Sequence, residues 1–301
     1  RPVDRAGGTL SRSDVRGFLD RHGLLARKDL GQNFLVDDHM AERLAQLAGV
    51  EPGDCVIEVG TGTGVLTRAL AARALRVISL DVDAGLVRAL RAEAVLPANV
   101  ELIHQDVLHA DLAAIADSFG GPDVPVRLVS NLPYSISGPV LRRLLDLRLR
   151  LTDWSVMLQR EVGERLLAGP GSKAYGSLSV LHALCVRSQR EMELQPRCFF
   201  PEPQVRSLFL RLIPRVDSKL EPDELPRLER VVRAAFGKRR KTLVNALRGA
   251  GGKAWSADEL RFALARLGID ERARGETLTP EQFLDLSRLL TETPCSPEAE
   301  G

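Results

Sequence analysis

Between residues 55 and 133 the chain repeats one theme. Short apolar runs end in a glycine, an acid or an amide: CVIEVG (55–60), RVISLD (76–81), VELIHQD (100–106) and VRLVSNLP (126–133). The helical patterns VLTRALAARA (65–74) and AGLVRALRAEA (84–94) follow the first two, and further helices fit 138–149 and 160–168. These runs are apolar on both faces, as strands are when helices cover both sides of a mostly parallel sheet. WSVMLQ (154–159) reads as a fifth strand. After a helical LSVLHALCV, MELQ (192–195) and SLFLRLIP (207–214) read as two more strands that could pair as an antiparallel edge. Upstream, DHMAERLAQL (38–47) reads as a helix capped by Asp37 or Asp38.

The texture changes after Pro214. RVDSKLEPDELP is a polar linker, and only helical patterns follow, among them SADELRFALARL and TPEQFLDLSRLL. Ser256 with Glu259 has capping-box spacing, and Thr279 with Pro280 makes a cap and first turn. The expected organisation is an N-terminal extension (1–30), an α/β domain (31–214), a small helical domain (215–290) and a disordered tail (291–301). The extension is polar apart from a short amphipathic stretch around VRGFLDRHGLL.

Composition narrows the class. With 44% apolar residues in 301, a sizeable core is available, and with aromatics at 4%, Leu, Val and Ala must pack it. The net charge of +2 argues against a general nucleic-acid sponge. The cysteines at 55, 185, 198 and 295 form no Cys-x-x-Cys pair, and the five histidines have no metal spacing. A reduced, cytoplasmic, monomeric protein without a metal is expected. No apolar run approaches the roughly 20 residues that span a bilayer. The first residues, RPVDRAGG, have neither a signal core nor an initiator Met, so the natural start is expected to be missing or processed.

The strand ends carry the chemistry. EVGTGTG places Glu58, Gly60, Gly62 and Gly64 between a strand and a helix. A dinucleotide fingerprint would need glycine at Val65, and a P-loop would need a Gly-Lys pair. Alternate glycines preceded by an acid instead resemble the S-adenosylmethionine loop of Rossmann-like methyltransferases. A ligand-free βα turn is the plainer alternative, but three glycines in five residues make it costly in backbone entropy. Asp81 ends the second run and Asp106 the third. Singly each fits a cap or a loop; together, at matching topological positions, they suit the ribose and adenine of an adenosyl group.

NLPYSIS (131–137) then falls where the departing methyl would point. An exocyclic adenine amine is planar and weakly nucleophilic. The Asn131 side-chain oxygen and the Leu132 carbonyl can accept its N–H bonds. Pro133 stiffens the turn, and the Tyr134 ring can stack on a flipped base. The plainer alternative is a strand ending in a turn.

GQNFL, EVGTGTGVLT, NLPYSIS, QREVGERLLAGPGSKAYGSLSV, FFPEPQVRS and FGKRRKTLVNAL occur in order across about residues 22–290. In these blocks the chain resembles the small-subunit ribosomal RNA adenine dimethyltransferase family. The resemblance implies a Rossmann-like S-adenosylmethionine-dependent methyltransferase sheet with a small all-helical C-terminal domain. It implies dimethylation of N6 on two adjacent adenosines in the 3′-terminal hairpin loop of small-subunit rRNA, within an immature small subunit. By position it implies Gln32, Asn33, Leu35, Glu58, Gly60, Gly62, Asp81, Asp106, Val107 and Asn131 at the cofactor. Phe199 or Phe200 would lie at the target base.

Four positions depart from the resembled pattern. Ser79 stands where a straightforward alignment puts a ribose-binding Glu, which leaves Asp81 as the candidate. Thr61 stands for a common Pro, Ser135 for a frequent Asn, and Arg206 for a frequent Asp.

Charge is local. Between Arg227 and Arg248 eight basic residues face one acid, and Lys238, Arg239, Arg240 and Lys241 are consecutive. They are the candidates for RNA phosphates, with Arg142, Arg143, Arg148 and Arg150 as a second group; a solvated helix face is the alternative for both. Three other functions stay open: a 23S-type rRNA adenine methyltransferase, a non-catalytic ribosome assembly or nucleic-acid-binding factor on the same scaffold, and, least favoured because of Val65, a dinucleotide oxidoreductase.

Overall fold

The computed structural model describes residues 12–238, 240–248 and 255–292. The chain falls into two units. The first holds the described residues up to Gly163 together with Ser188–Pro214. The second holds Glu164–Arg187 and the described residues from Arg215 onward.

The strands are β1 (Phe34–Leu35), β2 (Cys55–Val59), β3 (Arg76–Asp81), β4 (Val100–His104), β5 (Val126–Asn131), β6 (Asp153–Gln159), β7 (Val186–Leu194), β8 (Phe199–Phe200) and β9 (Ser207–Pro214). Seven form one sheet in the order β4-β3-β2-β5-β6-β9-β7. The pairs from β4 through β6 are parallel, and β9 runs antiparallel to β6 with Ser207 opposite Gln159. Residues 207–214 and β7 are thus neighbours at one end of the sheet, with β7 outermost and longer than MELQ. The interior strands are mostly buried, β2 at every residue, whereas β4, with VELIH, is half exposed as an edge strand should be. β1 and β8 pair only with each other.

The helices of the first unit are α1 (Arg12–Arg21), α2 (Asp38–Leu47), α3 (Val65–Ala71), α4 (Ala84–Glu93), α5 (Leu112–Asp117) and α6 (Ser137–Asp146), and α7 (Arg160–Leu167) begins in it and ends in the second. Val15, Phe18 and Leu19 of α1 are buried, so part of the expected extension belongs to the core. Asp37, one of the two candidate caps, accepts from the Met40 amide and starts α2.

The second unit contains α8 (Ser177–Cys185), α9 (Leu225–Gly237), α10 (Leu243–Leu247), α11 (Ala257–Arg266) and α12 (Pro280–Glu292). Ser256 and Glu259 cap each other reciprocally at the start of α11. Residues 164–187 join this unit through Tyr175. Its hydroxyl donates to the Leu278 carbonyl at 2.9 Å, and its ring meets Phe236 edge-on. Among the described residues no helix is long and apolar enough to cross a membrane.

At the end of the sheet where β5 and β6 begin, charge fixes the register. Arg127 of β5 pairs with Asp54 and with Asp153, its cross-strand partner in β6. Arg211 of β9 reaches the same Asp153 carboxylate. Asp153 is 2% exposed, so its removal takes the carboxylate from Arg211 and leaves Arg127 with Asp54 alone. We expect Asp153→Ala to cost about 3–5 kcal/mol, as loss of one partner from a buried ion pair does. Urea unfolding followed by tryptophan fluorescence checks it; a loss below about 1 kcal/mol would show the pair to be screened like a surface bridge.

Candidate active site

Because β2 lies between β3 and β5, the carboxyl ends of three parallel strands meet at one crevice, where open α/β sheets have room for a ligand. A cavity of about 240 Å³ opens there. The segment 29–35, the glycine loop, residues 80–82, residues 105–108 and residues 131–136 line it.

The glycine loop is held to β3 by one carboxylate. The Gly62 amide donates to Asp81 at 2.8 Å, and the Asp83 amide donates to its other oxygen at 2.8 Å. Gly62 has φ +58°, and a β-carbon there would sit 3.0 Å from the Phe34 ring, so only glycine lets the loop pass. Asp83 caps α4 through the Gly85 and Leu86 amides and also accepts from the Gln32 side chain at 3.0 Å. Burial pushes the Asp81 carboxyl above its ordinary range, opposed by its two amide donors. Each Asp81 oxygen keeps a lone pair beyond the amide it accepts, which suits a ribose diol.

Ser79 does not compete for that role. It lies two residues inside β3, fully buried, and donates to Glu58 at 2.6 Å. Thr61 is 2.6 Å from the same serine hydroxyl, and Thr67 donates to the same Glu58 oxygen. Two of the departures from the resembled pattern, Thr61 and Ser79, are thus each other's partners. Glu58, an expected cofactor residue, is instead 0% exposed and does not line the cavity, because β2 turns its side chain toward Ser79 and Thr67. Burial pushes its carboxyl up to about 8, against the two hydroxyl donors.

Across the crevice Asp106 accepts from the Leu108 amide at 2.8 Å and lies 3.0 Å from a His109 ring nitrogen, beside buried Val107. At the end of β5, the Asn131 amide nitrogen donates to the Asn33 carbonyl at 2.9 Å. That bond consumes a donor and leaves the Asn131 oxygen as the acceptor. Leu132 and Pro133 line the same wall. The Tyr134 hydroxyl lies 2.6 Å from that of buried Ser207, which anchors the ring at the cavity edge, and burial raises its pKa. Ser135, unexplained by sequence, donates to the Leu30 carbonyl at 3.2 Å and ties this turn to the segment over the cavity.

The cleft therefore brings together Gln32, Asn33, Leu35, Gly60, Gly62, Asp81, Asp106, Val107, Asn131, Leu132, Pro133 and Tyr134. It leaves out Phe199 and Phe200. Their two-residue strand pairs with β1, which fully buries Phe199 in the core and half-buries Phe200. Phe34 and Ser207 were missed; a Phe beside the cap residues in GQNFL was the available signal for the first, and nothing local marked the second.

Lys238, Arg240 and Lys241 are exposed in the second unit, whereas Arg239 lies outside the described residues. The second basic group is occupied with the protein itself. Arg143 reaches the Leu108 and Ala110 carbonyls, Arg148 the Leu145 carbonyl, Arg142 pairs with Asp146, and Arg150 holds Asp117 and three carbonyls. Arg143 and Arg150 staple distant loops, while Arg142 and Arg148 bond within α6 and at its end.

Because the folded-state pKa of Glu58 lies above that of the unfolded chain, its contribution to stability is full below about pH 4.5 and falls as pH rises toward 8. We expect Glu58→Gln, a permanently neutral isostere, to flatten the decline of Tm between pH 5 and 8. A Tm profile parallel to that of the native chain would show that the carboxyl does not titrate in this range.

The family model for ribosomal RNA adenine dimethylase matches residues 23–292. Ribosomal RNA small subunit methyltransferase A of Geobacter sulfurreducens is 42% identical over 268 residues, covering 89% of this chain and 96% of that protein. The protein of the same description from Alkaliphilus metalliredigens is 38% identical over 282 residues, covering 93% and 96%. Among solved structures, a dimethyladenosine transferase from Plasmodium falciparum superposes with a TM-score of 0.69 at 23% identity, over 84% of this chain and 95% of that one, which speaks to the fold. The 23S rRNA methyltransferase ErmE gives 0.62 at 27% identity, over 86% and 100%. With the family model spanning nearly every described residue and full-length relatives near two-fifths identity, the chain belongs to the ribosomal RNA adenine dimethylase family.

Proposed function

We propose that this chain is an S-adenosylmethionine-dependent methyltransferase that dimethylates N6 of two adjacent adenosines in the 3′-terminal hairpin loop of small-subunit rRNA. It would act as a cytoplasmic monomer on a late assembly intermediate of the small subunit. The observation that carries the reading is the Asn131 amide, whose nitrogen is committed to the Asn33 carbonyl and whose oxygen is thereby set as an acceptor in a cleft that also holds Asp81 and Asp106.

The residues present fit the cofactor. Asp81 would take the ribose hydroxyls, Asp106 with Val107 the adenine, and the loop at Gly60 and Gly62 the methionine portion. When bound, S-adenosylmethionine supplies a methyl group on a positively charged sulfur, an electrophile that needs no metal and no covalent enzyme intermediate.

The chain's own work is placement. A base turned out of its helix would stack on the Tyr134 ring, kept in place by Ser207. The Asn131 oxygen and the Leu132 carbonyl would accept the two N–H bonds of the base amine. They would hold it in line with the methyl and favour the pyramidal nitrogen of the transition state. The proton would leave to water after transfer.

The relatives' descriptions name the small ribosomal subunit, and their identity of about two-fifths exceeds the 27% shared with ErmE. A 23S target is the second reading, favoured by the superposition on ErmE alone. Incubating the protein with labelled S-adenosylmethionine and either immature small subunits or naked large-subunit RNA separates the two. Primer extension should stop at two adjacent adenosines near the small-subunit 3′ end; a stop in the large-subunit RNA instead would favour the second reading.

Asn131→Ala should lower turnover by about 100-fold or more, well beyond any loss of cofactor affinity from the broken bond to Asn33, the scale of removing one hydrogen-bond partner from the reacting group. Unchanged turnover would remove Asn131 from the amine. Neutralising Lys238, Arg239, Arg240 and Lys241 together should weaken subunit binding and flatten its salt dependence by about 0.7 to 0.9 for each phosphate that the side chains no longer neutralise. An unchanged salt slope would place these charges away from the RNA.

A further inference from the structure

A second cluster of cations lies in the first unit, close to the Tyr134 anchor. Ser207, which holds the Tyr134 hydroxyl, is the first residue of β9, and Arg206 precedes it. The cross-strand partner of Ser207 is Gln159, the last residue of β6, and Arg160 follows it. The Arg160 amide donates to the Arg206 carbonyl at 2.9 Å. Two arginines thus leave the backbone one residue from the pair that fixes the ring. A third, Arg190, comes from β7, the neighbour of β9 in the sheet.

All three converge on Glu193. Arg190 lies 2.5 Å from one of its oxygens; Arg206 lies 3.0 Å and Arg160 3.9 Å from the other. The hydrogen bond from Arg206 is the largest cause that holds the Glu193 carboxyl below its ordinary range, so it stays ionised at neutral pH. One carboxylate cannot neutralise both Arg190 and Arg206. Each guanidinium carries five N–H donors, against roughly four lone-pair sites on the carboxylate. Arg190 and Arg206 alone outnumber the one carboxylate, and each arginine side chain is about half exposed, at 48%, 47% and 51% for Arg160, Arg190 and Arg206. Like charges gathered around one acid are relieved by a further anion, and planar guanidiniums bind phosphate oxygens in pairs.

We propose that Arg160, Arg190 and Arg206 form a phosphodiester-binding site that holds the substrate RNA strand beside the base seated against Tyr134. This rests on the reading of the cleft as a site for an RNA base. The anion that accompanies such a base is its own backbone phosphate, and the cluster stands on the strand ends that carry the Tyr134 anchor. Arg206, where the resembled family frequently carries Asp, makes the site a feature of this chain. Glu193 spaces the three heads and competes with the phosphate.

The test is the double variant Arg190→Gln with Arg206→Gln, read by binding to deproteinised small-subunit RNA across a salt series and by steady-state methylation of immature subunits. The Kd should rise about tenfold, and the slope of log Kd against log salt should fall by about 1 to 2. The loss should fall on KM, with cofactor affinity unchanged. Glu193→Gln should do the opposite, tightening RNA binding and steepening the slope, which keeps the proposal testable if the double variant folds poorly. Unchanged affinity and slope in both variants would overturn it. Weakened binding to whole subunits with unchanged binding to deproteinised RNA would assign the cluster to an acidic protein face and also overturn it. A native chain that binds RNA through these arginines but transfers no methyl would sink the reading of the cleft and leave the phosphate site standing.

Discussion

The arrangement of the cleft depends on the Asp81 carboxylate. Its oxygens accept the amides of Gly62 and Asp83 at 2.8 Å each, so one side chain fixes both the glycine loop and the start of α4. Asp83, held this way, caps α4 and takes the Gln32 side chain. Through Gln32 the bond network reaches the Arg27 amide, and so the segment that covers the cavity. Amides converging on a buried carboxylate offset part of its desolvation.

The same covering segment reaches the other wall. Asn33 receives the Asn131 amide, Leu30 receives the Ser135 hydroxyl, and a β-carbon at Gly31 would lie 2.9 Å from Ser135. The polar groups proposed to meet the cofactor and those proposed to meet the target amine are thereby held by one stretch of chain. For a transfer that needs alignment rather than acid or base chemistry, such shared positioning is the main catalytic resource.

Much of this was legible in the sequence because the signals are local. Apolar runs ending in Gly60, Asp81, Asp106 and Asn131 mark strand ends, and a parallel sheet gathers strand ends on one side. What was not legible depends on partners distant in sequence. Glu58 looks like a ligand residue in EVGTGTG, and only the register of β2 against β3 shows it facing Ser79. Phe199 and Phe200 look like a base pocket, yet they pair with Phe34 and Leu35 far upstream. The arginines at 142–150 look like phosphate ligands until their carboxylate and carbonyl partners are in place. α5 escaped notice because LAAIAD is too short for a helical period to declare itself.

The claim on which the account turns is that the cleft is an adenosyl site in which Asp81, and not Ser79, meets the ribose. A crystal structure of the chain with S-adenosylhomocysteine tests this most directly. The account predicts both ribose hydroxyls within hydrogen-bond distance of the Asp81 carboxylate, the adenine amine at Asp106, and Ser79 still bonded to Glu58. A ribose held away from Asp81, or a Ser79 turned out to meet it, would contradict it.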